Sequence, residues 1–291
     1  MRFGKTIKLF LIDGDTNGRL TCELSNWTGK AYKVPRNLVK ICTDRPEIQT
    51  TGVYMLLNKS TDLVEAGQLY IGEAEDTFKR LTQHVKEKDF WNEAIIFISK
   101  DDNLNKAHIK YLENRLYEIA FSANRFKLTN TQKPTQSSIS ESDKAEMEEF
   151  LSNILTLVSI LGYTAFEQIR QIDAKTPSEN LEENLFFISA ARGANGVGKS
   201  TNEGFVVFEN SQIADPVTNS YPKTMKKLRD NLIAENIIIK ENDNWILKRD
   251  YLFSSSSTAA MIIMGRSANG LTEWKMKSGE TLQDFESSEN V

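Results

Sequence analysis

Two tyrosines, an arginine, a histidine and a glutamate stand in this 291-residue chain at spacings that suit phosphodiester hydrolysis. Tyr54 and Tyr70 lie in apolar, strand-like runs, Gly52-Val53-Tyr54 and Tyr70-Ile71-Gly72. Arg80 and His84 follow four residues apart, and Glu113 stands further on. Cutting a phosphodiester needs an activated water, positive charge at the phosphoryl oxygens and help for the leaving oxygen. A single divalent metal anchored by one carboxylate can meet the last two needs, and Glu113 is the candidate anchor. Arginine suits a phosphoryl group because its planar fork engages two oxygens, the task expected of Arg80. His84 can position a water or take its proton. A phenol titrates at about 10, so a tyrosine serves as base only where cations or a metal favour the phenolate; otherwise its hydroxyl orients water. Each residue alone has a plainer reading: a flanking glutamate, an exposed cation pair, half-buried strand tyrosines.

The elements that must position these groups alternate. Residues 52–57 and 68–72 read as strands and 76–87 as a helix, with Phe78, Leu81 and Val85 at helical spacing. Residues 93–99 read as a third strand, and 103–121 as a longer helix with the stripe Ile109, Leu112, Leu116 and Ile119. Arg80 and His84 share one face of the first helix, offset from its packing residues. Glu113 borders the buried stripe of the second and is aimed at the sheet. The order strand, strand, helix, strand, helix predicts a small sheet covered by helices.

In order, residue type and context, this run resembles the GIY-YIG nuclease superfamily over about residues 50–133. The resemblance implies a compact mixed α/β (α+β) module with a central three-stranded antiparallel sheet and one divalent metal, Mg2+ or Mn2+, held by Glu113. Tyr54 is then the general base or water-orienting phenol, Tyr70 its supporting hydroxyl, Arg80 the phosphate ligand, and His84 fills a position that takes His or Tyr. Gly52 and Gly72 belong to the motif structurally. Asn130 matches its late asparagine, with Asn124 a lesser claimant. Two departures stand out. The spacing between the tyrosine motifs is long, and Glu73 occupies a place where many members carry a basic residue.

Around this core, residues 1–48 read as an N-terminal β module with strands at 5–12 and 20–24, ending near Pro46. Residues 49–133 are the nuclease domain, and 134–183 a linker and a helix. That helix is capped near Ser142 and stopped by Gly162. Residues 184–253 read as a β-rich α+β region, with strands near 185–190, 204–209 and 245–247 and a helix near 222–235. Residues 254–291 read as a small domain with a helix at 257–264 and a hairpin at 271–281. Ser257-Thr258-Ala259-Ala260, Gly265-Arg266-Ser267-Ala268-Asn269-Gly270, Thr272-Glu273-Trp274-Lys275 and Gly279-Glu280-Thr281-Leu282 resemble a C-terminal domain of uncharacterised function that often accompanies bacterial GIY-YIG nucleases. Trp274 there reads equally as core or as a stacking or partner-binding residue.

Gly193-Ala194-Asn195-Gly196-Val197-Gly198-Lys199-Ser200 fits the phosphate-binding pattern G-x-x-x-x-G-K-[ST] letter for letter. That function needs a helix starting at Lys-Ser, whose N-terminus holds the phosphates. Here Phe205-Val206-Val207-Phe208, a strand-like run, follows too closely, so the segment is expected to be a hairpin loop that binds no nucleotide.

Composition limits the classes. The formal charge of −4 and pI near 5.5 argue against a protein that coats nucleic acid, though not against a local basic groove. Lys79, Arg80, Lys86 and Lys88, and separately Lys223, Lys226, Lys227 and Arg229, could supply one. No apolar run approaches the roughly eighteen residues of a membrane span, and Met1-Arg2-Phe3-Gly4-Lys5 has no signal-peptide character. Cys22 and Cys42 suit a reducing cytoplasm. The expectation is a cytoplasmic, bacterial, metal-dependent endonuclease acting on nucleic acid, DNA ahead of RNA, with a protein partner for the C-terminal domain. The alternative is a binding module on the same fold that turns over slowly or not at all.

Overall fold

The computed structural model describes residues 4–58, 67–167 and 184–288. They divide into two compact units, the first two stretches forming one and residues 184–288 the other. Both are α+β.

The first unit opens with β1 (Ile7–Leu11), β2 (Leu20–Leu24) and β3 (Gly29–Pro35), then two 3-10 segments, Arg36–Asp44 and Pro46–Ile48. There follow β4 (Gly52–Asn58), β5 (Gln68–Ala74), α1 (Thr77–Glu87), β6 (Glu93–Ser99), α2 (Lys106–Ala123), β7 (Lys127–Leu128) and α3 (Glu141–Ile160). Each helix has a local start signal. Asp76 accepts from Lys79 N at 2.9 Å, Asn105 from Ala107 N and His108 N at 2.8 and 3.0 Å, and Ser140 from Asp143 N at 3.1 Å. The cap of α3 is thus Ser140 instead of Ser142, and Gly162 ends that helix at φ +83°, as expected.

The sheet runs β1-β2-β3-β6-β4-β5-β7. The expected antiparallel trio is present as β5-β4-β6, but it sits inside a seven-stranded sheet. The N-terminal strands are no separate module. β3 pairs with β6 along its full length, from Gly29 opposite Ser99 to Pro35 opposite Glu93. The polar sequence of β3, with its two lysines, hides a strand buried on both faces, Ala31 in one core and Tyr32 and Val34 in the other. The helix expected after the polar stretch at 131–143 is present as α3 and packs into the first unit. Met147, Phe150, Leu151, Ile154 and Leu157 of α3 fill one core with Leu112 and Leu116 of α2 and Val53, Met55, Ile95 and Phe97 of the sheet.

That core lies on one face of the sheet. The opposite face carries Tyr32, Val34, Tyr54, Leu56, Ile96 and Ile98, covered by Leu81 of α1 and Val39 and Cys42 of the 3-10 segment. The helices α1 and α2 therefore flank the sheet on opposite sides, because successive side chains of β4 alternate between the two cores.

The second unit comprises β8 (Phe186–Ser189), β9 (Asn195–Thr201), β10 (Gly204–Val207), β11 (Gln212–Ile213), α4 (Lys223–Ala234), β12 (Ile238–Glu241), β13 (Asn244–Leu247), β14 (Tyr251–Phe253), α5 (Ser256–Met264), α6 (Gly270–Glu273) and α7 (Leu282–Ser288). The strands form a second sheet, ordered β12-β13-β11-β9-β10-β14 with β8 on β9. No boundary falls at residue 254, because one core joins Phe186, Phe205 and Val207 to Ile262, Ile263, Trp274 and Leu282. The expected hairpin at 271–281 is replaced by α6 and a turn closed by the Lys275–Thr281 bridge. Asn269 caps α6 by accepting from Leu271 N at 3.1 Å, so local capping overrides the strand pattern. No described helix is long and apolar enough to cross a membrane.

Candidate active site

The site forms around β5. Tyr54 on β4 and Tyr70 on β5 project toward α1, their ring centroids 6.3 Å apart. Glycine is required at both motif ends. A Cβ on Gly72 would collide with the Tyr54 hydroxyl and press on the Tyr70 ring, and one on Gly52 would collide with the Phe97 carbonyl.

His84 of α1 is 1% exposed, its Nε2 lying 2.8 Å from Tyr54 Oη. Its ring stands edge-on to Tyr70, 5.3 Å between centroids. Burial, then the charges of Arg80 and Lys88, hold its pKa down to about 4. The plainer reading of an exposed cation pair therefore fails for His84, which is a buried, neutral imidazole. Its Nδ1 is buried with no hydrogen-bonding partner. Lys88, which the sequence offered only within a basic run, stands over the Tyr70 ring at 4.5 Å.

Arg80, one turn earlier, is partly buried and donates to Gln83 Oε1 at 2.7 Å. Burial opposes its charge, but the hydroxyls of Tyr54 and Tyr70 more than offset this, so its pKa lies above the ordinary value. The Tyr54 phenol is pushed the other way. Burial, then Tyr70, raise it far above the usual range, against the lowering pull of Arg80. Of the two expected roles for Tyr54, base or water-orienting phenol, the raised pKa favours the phenol, whose hydroxyl is shared with a neutral histidine.

Glu113 arrives from α2, on the far side of the sheet. It is half-buried, and burial followed by the Glu73 charge raises its carboxyl to about 7, with Lys106, Lys110 and Arg80 pulling back. Its charge is also felt at Tyr54. Groups carried on both faces of the sheet thus act on one another electrostatically. On the outer edge of β5, β7 pairs with Gln68 and Leu69, and Thr129 N donates to Leu69 O at 2.9 Å. Asn130 closes the next step. Its side chain accepts from Ile71 N at 3.1 Å and donates to Ile71 O at 2.8 Å. Asn124 instead takes the left-handed C-cap of α2, at φ +49°.

Glu73 pairs with Lys106, Nζ lying 2.8 and 2.9 Å from its two carboxylate oxygens. Lys106 was missed by sequence reading, because its link to Glu73 joins a strand to a helix 33 residues away. It answers the acidic departure after Tyr70-Ile71-Gly72 with a cation from elsewhere.

Among the described residues no three His, Cys, Asp or Glu side chains cluster as a metal cage. Glu113 is a single half-buried carboxylate, a donor that fits a magnesium-type ion when ionised. Such ions bind through one or two carboxylates and complete their shell with water and substrate phosphate.

The Gly193–Ser200 pattern is not a phosphate loop. Most of it is β9, with Lys199 opposite Val206 of β10 and no helix after Ser200. The connection is residues 190–194, so the pattern is strand more than the hairpin loop expected, and Gly193 alone in it takes positive φ, +81°. Gly198 is required because a Cβ would collide with the Phe205 ring and the Val206 carbonyl. Trp274 is core: it is fully buried, its ring centroid 4.5 Å from that of Phe205, and its Nε1 donates to Ser256 O at 3.0 Å.

Comparison with family models matches residues 186–286 to a domain of unknown function (DUF4357). The match covers the second unit almost completely, well beyond the segment from residue 254 that the sequence suggested. Comparisons with curated proteins and with solved structures give no match.

Proposed function

We propose that the first unit is a metal-dependent endonuclease of GIY-YIG type, acting on nucleic acid with DNA ahead of RNA, in a cytoplasmic protein. The observation that carries this reading is the Tyr54–His84 hydrogen bond beside Arg80, with the Glu113 carboxyl close enough to act electrostatically on both Tyr54 and Arg80.

Glu113 would hold one Mg2+ or Mn2+, which supplies positive charge to the scissile phosphate and its leaving oxygen. Arg80 binds the phosphoryl oxygens through its fork. The Tyr54 oxygen orients the attacking water while its hydroxyl proton faces His84 Nε2. As the water loses its proton to Tyr54, Tyr54 passes its own to His84, so no free phenolate forms and the charge falls on an imidazolium that then gives its proton up to solvent. A neutral His84 is ready for this at pH 7, because its pKa of about 4 leaves Nε2 unprotonated by solvent. Tyr70 packs beside the His84 ring and keeps its orientation, with Lys88 over the Tyr70 ring in turn.

The rival reading, a binding module with little turnover, drew on the acidic Glu73; the ion pair with Lys106 removes much of that motive. One experiment separates the two. Plasmid, single-stranded DNA and RNA are incubated with the full chain and Mg2+ or Mn2+, beside Glu113→Gln. Metal-dependent cutting that drops by at least about a hundredfold in the variant is expected. Binding without cutting would establish the rival, and equal cutting by the pure variant would remove Glu113 from the reaction. The second unit is proposed to choose the substrate or a protein partner.

A further inference from the structure

The sheet of the first unit has a free edge at β1. Among the described residues, β1 pairs with β2 and with no other strand. Edge strands are usually protected by charge, proline or a bulge, since their unpaired backbone invites another strand. This one is not. Leu9, Phe10 and Leu11 are 56%, 60% and 37% exposed, and Lys8 is the single charge in β1.

The ladder shows which groups face outward. Ser25 N donates to Thr6 O at 3.0 Å and Ile12 N to Arg19 O at 2.9 Å. Hydrogen-bonded positions alternate along an antiparallel pair, so the even-numbered residues point their backbone groups at β2. The N–H and C=O of Ile7, Leu9 and Leu11 therefore point away from the sheet. Their side chains lie on the face of their register partners Leu24, Cys22 and Leu20, which belong to the core beneath α2 and α3.

We propose that β1 is a self-association edge, on which a second copy of this chain pairs antiparallel about a two-fold axis through Leu9. The strand complements itself in this register. Leu9 opposes Leu9 of the second copy, and Ile7 opposes Leu11, so every outward donor meets an outward acceptor. The apolar side chains of these pairs extend the core face of one sheet into the other. On the opposite face Lys8 of each copy lies across Phe10 of the other, a cation beside an aromatic ring. A pairing centred on Leu9 is the one that overlaps all five residues of β1. The contact is isologous and closes as a dimer. It does not depend on the nuclease reading.

Sedimentation or light scattering of the full chain over a concentration series tests this. A species of twice the 33.1 kDa chain mass is expected. Leu9→Pro should halve that mass, because it removes an outward N–H and no bond to β2. Leu9→Lys should do the same by charge, with far-UV circular dichroism confirming the fold. Amide exchange of the wild type reads the same edge without a mutation: Ile7, Leu9 and Leu11 should be protected at high concentration and exposed on dilution. A single-chain mass at every concentration, a dimer persisting in folded variants, or fast exchange of these three amides throughout would each overturn the proposal.

Discussion

Tyr54 Oη and His84 Nε2 lie 2.8 Å apart in a buried hydrogen bond that joins the middle of the sheet to α1. The bond couples a phenol that will not ionise to an imidazole that will not protonate, because burial disfavours the charged form of each. A concerted transfer would avoid the phenolate and place the charge on His84 alone.

Tyr54→Phe keeps the ring and removes the hydroxyl. His84 then has neither ring nitrogen bonded, since its Nδ1 already lacks a partner. A loss of about 1–3 kcal/mol of stability is expected from the orphaned group. Metal-dependent cleavage should fall about a hundred- to ten-thousandfold with the substrate KM little changed. Denaturant unfolding and cleavage kinetics on one preparation check both, and wild-type turnover would exclude Tyr54 from proton transfer.

Gly72→Ala is a steric test of the same pair. The new methyl group must displace the Tyr54 hydroxyl and the edge of the Tyr70 ring. A cost of about 1–3 kcal/mol is expected from overpacking, with cleavage falling further than stability alone explains. Activity measured well below the melting temperature separates the two effects. Full activity in the variant would show that the Tyr54 position is unimportant.

The pH dependence of stability in metal-free protein should reveal two opposing groups. Glu113 moves from 4.5 to about 7 on folding, so the unfolded state holds fewer protons between those values and stability falls as pH rises through them. His84 moves from 6.5 to about 4, so the unfolded state takes a proton that the folded state refuses, and stability falls as pH drops from about 6.5 to about 4. The slopes oppose each other in the wild type. Glu113→Gln removes one of them, so its stability should climb more steeply with pH between about 4.5 and 6.5. Urea unfolding at a series of pH values gives the comparison, and parallel curves would contradict it.

Trp274→Ala should cost about 3–5 kcal/mol in the second unit, as large aromatic truncations in a core do. The ring packs on Phe205 and its Nε1 anchors Ser256 at the start of α5. Thermal unfolding should show the loss, while cleavage at low temperature should persist if the first unit carries the chemistry. An unchanged melting profile would mean that the residue packs loosely.

The elements around the site are local facts. Asp76 and Asn105 start their helices through their own side chains, and the apolar spacing of Leu81, Ile109, Leu112 and Leu116 marks which stripes are buried, so α1, β6 and α2 were legible within a few residues. The placing of Arg80 and His84 one turn apart follows from helix geometry alone. The glycines at 52 and 72 were visible as motif letters, but their reason, the closeness of Phe97 and Tyr54, was not.

Non-local pairing decided the rest. No periodicity says that β3 lies on β6, that α2 packs on the opposite face to α1, that Asn130 bonds both backbone groups of Ile71, or that Lys106 answers Glu73. Whether a histidine is a surface cation or a buried neutral ring depends on what covers it, and for His84 that cover is Tyr54 and Tyr70. The amino-acid sequence determined which side chains could do chemistry and the helices and strands that carry them. The tertiary structure decided their protonation and their electrostatic coupling, because desolvation and charge act through space between segments that the chain order keeps apart.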